Sequence, residues 1–175
     1  IYLAARLLLK RCCMGYYNFK KKLEGKDQSI DKMITKLDKI EKLISSELSS
    51  KIKNSLIENS ELLIEIEDKD LIDVVQFLKS NENCKFKQLI DIAGVDYPDN
   101  EKRFELVYLF LSHENNLRVK ILIKFQLDQS INSLTKIFPS ANWMEREVFD
   151  MYGIKFKNHP DPVSYTHLRA HETVV

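Results

Sequence analysis

Two adjacent stretches constrain the fold more than anything else in the chain. Phe104–Leu111 is almost continuously apolar, and Leu117, Val119, Ile121, Ile123 and Phe125 then alternate with Arg118, Lys120 and Lys124. Alternation at a period of two is what a strand with one wet face requires. An unbroken apolar run fits a strand covered on both faces. Between them lies His113-Glu114-Asn115-Asn116, a polar turn, so the pair predicts a β-hairpin. A lone histidine in such a turn reads as a solvated turn residue rather than a catalytic base.

The flanks fill out the architecture. Ile30, Met33, Ile34, Leu37, Ile40, Ile44, Leu48, Ile52 and Leu56 recur at three- and four-residue steps, which predicts an amphipathic helix broken around Ser45–Ser50. Such a helix packs on its own domain or, alternatively, on a partner. Glu61–Ile66 reads as a short strand. Asp68 is placed to cap a helix carrying Leu71, Ile72, Val74, Val75 and Leu78. Asn81–Lys85 is a polar loop, and Phe86–Ala93 is open between strand and helix. Gly94 and the run Val95–Asn100 mark a turn or loop. Ser133–Phe138 predicts one or two helical turns before Pro139. Asn142 is placed to cap a helix with Met144, Val148, Met151 and Tyr152 at helical spacing and Gly153 as its stop. The expected fold class is α+β: a small mixed or antiparallel sheet with a β-hairpin and packed helices, preceded by an amphipathic N-terminal helix.

Composition excludes several functions. The 175 residues carry a formal net charge of +1, which gives no electrostatic footprint for nucleic acid. Lys20, Lys21, Lys22 and Lys26 cluster early, as a solvated face or flexible arm does. Cys12, Cys13 and Cys84 form no C-x-x-C pair, so reduced thiols are expected, with no iron–sulfur or zinc site held by this chain alone. No stretch reaches the roughly 18–20 apolar residues of a membrane span. With only four glycines, both G-x-G-x-x-G and G-x-x-x-x-G-K-[ST] are missing, as is a G-x-S-x-G elbow.

Glu145, Arg146, Glu147, Asp150 and His159 could suggest a metal or acid–base site. Their spacing argues otherwise. Glu145 and Glu147, two apart, project in different directions on a helix. The Glu-x-x-His ligand pair of di-iron bundles is missing. Arg146 and Asp150 sit at i and i+4, as a local ion pair would. Glu147 and Asp150 can share a face and would then call for a cation, most simply a partner's arginine. His167 and His171 also lie four apart, but without the glutamate of H-E-x-x-H.

The run Asn142–Ile154, NWMEREVFDMYGI, followed by Phe156 and His159-Pro160-Asp161, resembles the signature of the C-subunit family of proton-pumping NADH–quinone oxidoreductase (respiratory complex I). The mitochondrial counterpart is the iron–sulfur protein 3 subunit and the chloroplast one is the J subunit. Upstream, Val95-Asp96-Tyr97-Pro98, Arg103–Tyr108, Leu117–Lys120 and Phe138-Pro139 agree in order and spacing, so the resemblance covers roughly Leu62–Asp161. It implies a non-catalytic hydrophilic subunit in the quinone module of the peripheral arm. It implies no cofactor on this chain, although the whole complex uses FMN, iron–sulfur clusters, NADH and quinone. Implied partners are the D subunit and the neighbouring B and I subunits, with peripheral membrane association through the complex. The implied location is the cytoplasmic side of the bacterial inner membrane, or the matrix side in a mitochondrion. Glu145, Arg146, Glu147, Asp150, Tyr152, Gly153, His159, Pro160 and Asp161 take the signature places as structural and interface residues.

After Asp161 the sequence departs from the family. Pro162–Thr173 resembles a translated sequencing adapter where a Leu-Arg-Arg-type stretch is expected. Residues 162–175 are therefore expected to be a non-native tail, and residues 30–161 the domain that resembles the C subunit. Residues 1–29 are expected to be an uncertain or flexible lead-in, with Met14 as the expected start of an over-extended or fragmentary frame. Two other functions stay open: the homologous subunit of a membrane-bound hydrogenase or related dehydrogenase, and a freestanding interaction module built on Ile30–Leu56.

Overall fold

The computed structural model describes residues 28–126 and 128–160, with side chains from Met33 onward. In chain order the elements are α1 (Gln28–Glu47), β1 (Ile52–Glu58), β2 (Glu61–Ile66), a 3-10 turn (Asp68–Asp70), α2 (Leu71–Ser80), β3 (Gln88–Asp96), β4 (Phe104–Ser112), β5 (Leu117–Phe125), β6 (Ile131–Asn132), α3 (Ala141–Tyr152) and β7 (Phe156–Lys157). The expected lysine cluster, the Cys12–Cys13 pair, Met14, Asp161 and the His167/His171 pair lie outside the described residues.

Five strands form one mixed sheet in the order β1-β2-β5-β4-β3. Within it the central pair, β2 with β5, is parallel and the other neighbours are antiparallel. The predicted hairpin is β4–β5, paired from Phe104↔Phe125 to Ser112↔Leu117. Period-two side-chain geometry puts Leu62, Ile64 and Ile66 on one face with Val119, Ile121 and Ile123, and with Leu106, Tyr108 and Phe110 beyond them, all at or near zero exposure. Burying each such aliphatic contributes about 2 kcal/mol. Leu71, Val74, Val75 and Leu78 of α2 join this core. So do Leu37, Ile40 and Ile44 of α1, and Ala141 and Val148 of α3.

The opposite sheet face differs from expectation for Phe104–Leu111. Its Val107, Leu109 and Leu111 are half-buried rather than covered. The charged residues of neighbouring strands share that face, with Glu61 2.6 Å from Lys120 and Glu65 3.1 Å from Lys124. The outer residues of the apolar run therefore share their face with cross-strand ion pairs and lysine stems.

Four local expectations are corrected. The helical period of Ile30–Leu56 ends at Glu47; Ile52 and Leu56 belong to β1, and Leu56 is 51% exposed. Asn59 and Ser60, at φ 53° and 62°, close a tight β1–β2 hairpin, and pairing with β2 overrides the apparent helical spacing. Asp68 opens a 3-10 turn, and the N-cap position of α2 falls on Asp70, which makes no side-chain cap. Of the Phe86–Ala93 stretch, Gln88–Ala93 is strand, and Gly94, Val95 and Asp96 continue β3 instead of leaving it. Asn142 lies inside α3, whose N-cap position is Ser140. The Ser133–Phe138 segment makes a single helical turn, in which the Leu134 carbonyl accepts from Ile137 and Phe138 N–H.

Candidate functional site

The signature residues gather where α3 crosses β3 and the chain returns through β7. Gly153 ends the helix in the left-handed conformation at φ 72°, its N–H donating to the Phe149 carbonyl at 2.8 Å. That reversal lets β7 pair in parallel with β6, and Ile131 and Ser133 N–H donate to the Lys155 and Lys157 carbonyls. The chain therefore clamps the start of the Ser133–Phe138 turn beneath α3.

Glu145 occupies this seam. It is wholly buried, and its Oε1 accepts the Leu134 N–H at 2.7 Å. His159, with 3% side-chain exposure, lies over it: Nε2 is 3.2 Å from the Asn142 carbonyl and 3.9 Å from Glu145 Oε2. Burial pushes the Glu145 carboxyl up to about 7, against smaller downward pulls from the Ser133 side chain and the Leu134 N–H. Tyr108, wholly buried on β4, is raised well above the ordinary phenol range by burial and then by the Glu145 charge.

The other signature residues divide. Tyr152 lies on β3: a Cβ added at Gly94 would meet its ring at 2.7 Å. A glycine inside a strand is thus explained by close approach of an aromatic ring, which is why reading Gly94 as a turn residue fails. Arg146 holds its guanidinium 5.3 Å from the Trp143 ring centre. Glu147 points to solvent, as its two-residue offset from Glu145 requires, while Asp150 is half-buried and Pro160 exposed. Asp161 lies outside the described residues. Trp143, Glu147 and Met151, at i, i+4 and i+8, make one exposed stripe; Trp143 is 52% and Met151 72% exposed. A pocket of about 250 Å³ lies beside the seam, lined by Glu145, Arg146, Phe149, Lys155, Phe156 and His159.

Sequence reasoning missed Ser133, Leu134, Tyr108 and the Asn142 carbonyl, which surround Glu145. It also missed the Asp96–Arg103 clamp at the β3–β4 turn. There Arg103 Nε and its terminal nitrogen each donate to an Asp96 oxygen at 2.7 Å, and Tyr97 N–H donates to the Arg103 carbonyl. Opposite charges seven apart across a turn segment were the available signal. A tyrosine in the largely apolar Phe104–Leu111 run was another. Cys84 is buried, and desolvation pushes its thiol up to about 11. Among the described residues no group of three or more His, Cys, Asp and Glu could hold a metal ion, and no helix is long and apolar enough to cross a membrane.

A mixed five-stranded sheet with a signature helix locked by buried polar contacts is the class of domain to which known proteins can be compared. The chain belongs to the family described as respiratory-chain NADH dehydrogenase, 30 Kd subunit, whose model matches residues 64–171. It is 42% identical over 118 residues to the NADH-quinone oxidoreductase C subunit of Chelativorans sp. (strain BNC1), covering 67% of this chain and 59% of that one. It is 55% identical over 89 residues to the corresponding C subunit of Wolbachia sp. subsp. Brugia malayi (strain TRS), covering 51% and 47%. The chain thus spans about half to three fifths of the length of these relatives. Its fold is similar to a trypsin-resistant fragment of Nqo5, with TM-score 0.61, 23% identity and coverage of 72% of this chain and 98% of that one. The fold is equally similar to a chain of a membrane-bound sulfane sulfur reductase, an archaeal respiratory membrane complex, with TM-score 0.61, 18% identity and coverage of 79% and 92%.

Proposed function

We propose that the chain is a non-catalytic subunit of the peripheral arm of an NADH–quinone oxidoreductase, supporting electron transfer from NADH to quinone within a proton-translocating complex. One observation carries the non-catalytic part. The two buried signature residues with acid–base chemistry are engaged in internal contacts: Glu145 on the Leu134 N–H, and His159 on the Asn142 carbonyl. The flavin, iron–sulfur clusters, NADH and quinone are then handled by other subunits. Residues 30–161 act as the docking domain. The exposed Trp143, Glu147 and Met151 stripe, with Asp150 beside it, is the contact face for the D subunit and the neighbouring B and I subunits, and Glu147 takes a partner's basic side chain. Peripheral attachment at the cytoplasmic face of the inner membrane, or at the matrix face in a mitochondrion, follows from membership of the complex.

The test is removal of the gene in the source organism, followed by assay of membrane NADH:quinone reductase activity. Loss of that activity, restored by the intact gene but only partly by a W143A/M151A variant, is expected. Unchanged activity in the deletion strain would sink the reading. An affinity-tagged chain is expected to retain the flavin- and cluster-bearing subunits, and to retain less of them with E147K.

A further inference from the structure

The contacts around Glu145 have the geometry of a titrating device. Its oxygens are treated unequally: Oε1 accepts the Leu134 N–H, whereas Oε2 is buried with no hydrogen-bond partner among the described residues. His159 Nε2 faces Oε2 at 3.9 Å, beyond hydrogen-bond range, and lies 3.2 Å from the Asn142 carbonyl. A carbonyl only accepts, so Nε2 is the protonated ring nitrogen and cannot take a proton from Glu145 there. We propose that Glu145 is the proton-bearing bolt of a latch, which when protonated holds the first turns of α3 against the Ser133–Phe138 turn and when ionised lets that seam open toward the adjoining pocket.

These polar and charged groups face the seam from the elements packed around it. From α3 come Arg146, turned over the Trp143 ring, and Asp150 a turn further on. From β4 comes the Tyr108 hydroxyl, itself buried without a hydrogen-bond partner among the described residues and electrostatically coupled to Glu145. From the segment after β6 come the Ser133 hydroxyl and Leu134 N–H, and from the return through β7 come Lys155 and His159. In the closed seam, desolvation of the carboxylate outweighs the pulls of the Ser133 side chain and the Leu134 N–H. Opening admits water to the carboxylate from the pocket that Glu145 lines together with Arg146 and Lys155, and there water and those cations stabilise its charge. The closed state therefore binds the proton more tightly than the open state. Its closed-state pKa is raised to about 7 from the ordinary 4.5. The latch is fully set below the ordinary value and loosens as pH rises through the raised one. The closed-to-open ratio falls about tenfold between roughly pH 6 and pH 8. This inference is independent of the proposed function.

Hydrogen exchange at the Leu134 amide, corrected for intrinsic pH dependence, reads the latch directly in the full chain. Protection is expected to fall about tenfold over that interval. E145Q, whose side-chain oxygen still accepts the Leu134 N–H, is expected to keep the protection and lose the pH response. Protection that stays constant with pH in the wild type, or an E145Q response equal to wild type, overturns the proposal. Should E145Q fail to fold, carboxyl carbon NMR of the wild-type chain decides. A Glu145 midpoint near neutrality supports the latch, and a midpoint in the ordinary carboxylate range overturns it.

Discussion

The seam under α3 and the hairpin tip at His113–Asn116 each carry a glutamate, and the two are held in opposite ways. Glu114 is exposed between Lys85 and Lys87, at 2.6 and 2.7 Å, and those hydrogen bonds lower its carboxyl to about 2. Glu145 is fully buried, with one backbone N–H and a histidine beyond hydrogen-bond reach, and is raised to about 7. The same side chain is an anion clamp in water and a neutral hydrogen-bonding group in the core. What decides is which is larger, the lost hydration or the cations that replace it. The exposed clamp can be dismantled with little consequence because water takes over its role. The buried one cannot, because Leu134 N–H and the seam have no substitute.

The largest break of this comparison is E145A. It leaves the Leu134 N–H unpaired and opens a cavity, at an expected cost of about 3 kcal/mol, measurable by urea unfolding. Next is G94A. Its Cβ would meet the Tyr152 ring at 2.7 Å, so the helix must shift off β3, at about 1–3 kcal/mol. A double variant G94A/Y152A is expected to recover part of that loss, which separates the clash from a general intolerance of β3. Third is pH. Because the folded carboxyl of Glu145 is raised, its stabilising contribution is complete below about 4.5 and lost as pH climbs through about 7. Thermal melts across that window are expected to show a decline that E145Q abolishes. The smallest effect belongs to E114Q. The lowered carboxyl of Glu114 gives a contribution present above 4.5 and lost as pH falls toward about 2, with the sign opposite to Glu145. The melting temperature of E114Q at neutral pH is expected to match wild type within measurement error, and a drop as large as that of G94A would erase the contrast.

Legibility in the sequence follows the range of the forces involved. The β4–β5 hairpin, β2, α2 and the Gly153 stop were readable because period-two or helical patterning and turn chemistry are local. The strand β1 was not, since Ile52 and Leu56 sit four apart, a spacing compatible with both a helix face and alternate strand positions; pairing with β2 chose between them. Gly94 was misplaced for a related reason: its neighbour Tyr152 is distant in sequence, and nothing near Gly94 announces the ring above it. At the site, the opposite orientations of Glu145 and Glu147 were legible from helix geometry. Burial of Glu145 beneath His159 was not, because a charged residue in a polar signature carries no local mark of desolvation. Exposure of Trp143 and Met151 likewise runs against their hydrophobicity and becomes visible only once α3 is seated.

The parallel pairing of β2 with β5 has a consequence for how the chain assembles. Leu62 pairs with Val119 and Ile66 with Ile123, whereas β1–β2 and β3–β4–β5 are each joined by short antiparallel turns. The β1–β2 hairpin can form early with α2, and so can the β3–β4–β5 meander, because each needs only local loop closure. The central seam joins two such halves and is expected to be the slow step, since it awaits both partners. The natural place to divide the chain is then the exposed Glu82–Asn83 step of the α2–β3 connection, ahead of the buried Cys84 and Phe86. Two fragments cut there are expected to reconstitute the sheet on mixing, at a rate that depends on their concentration, as the intramolecular search becomes an association between molecules.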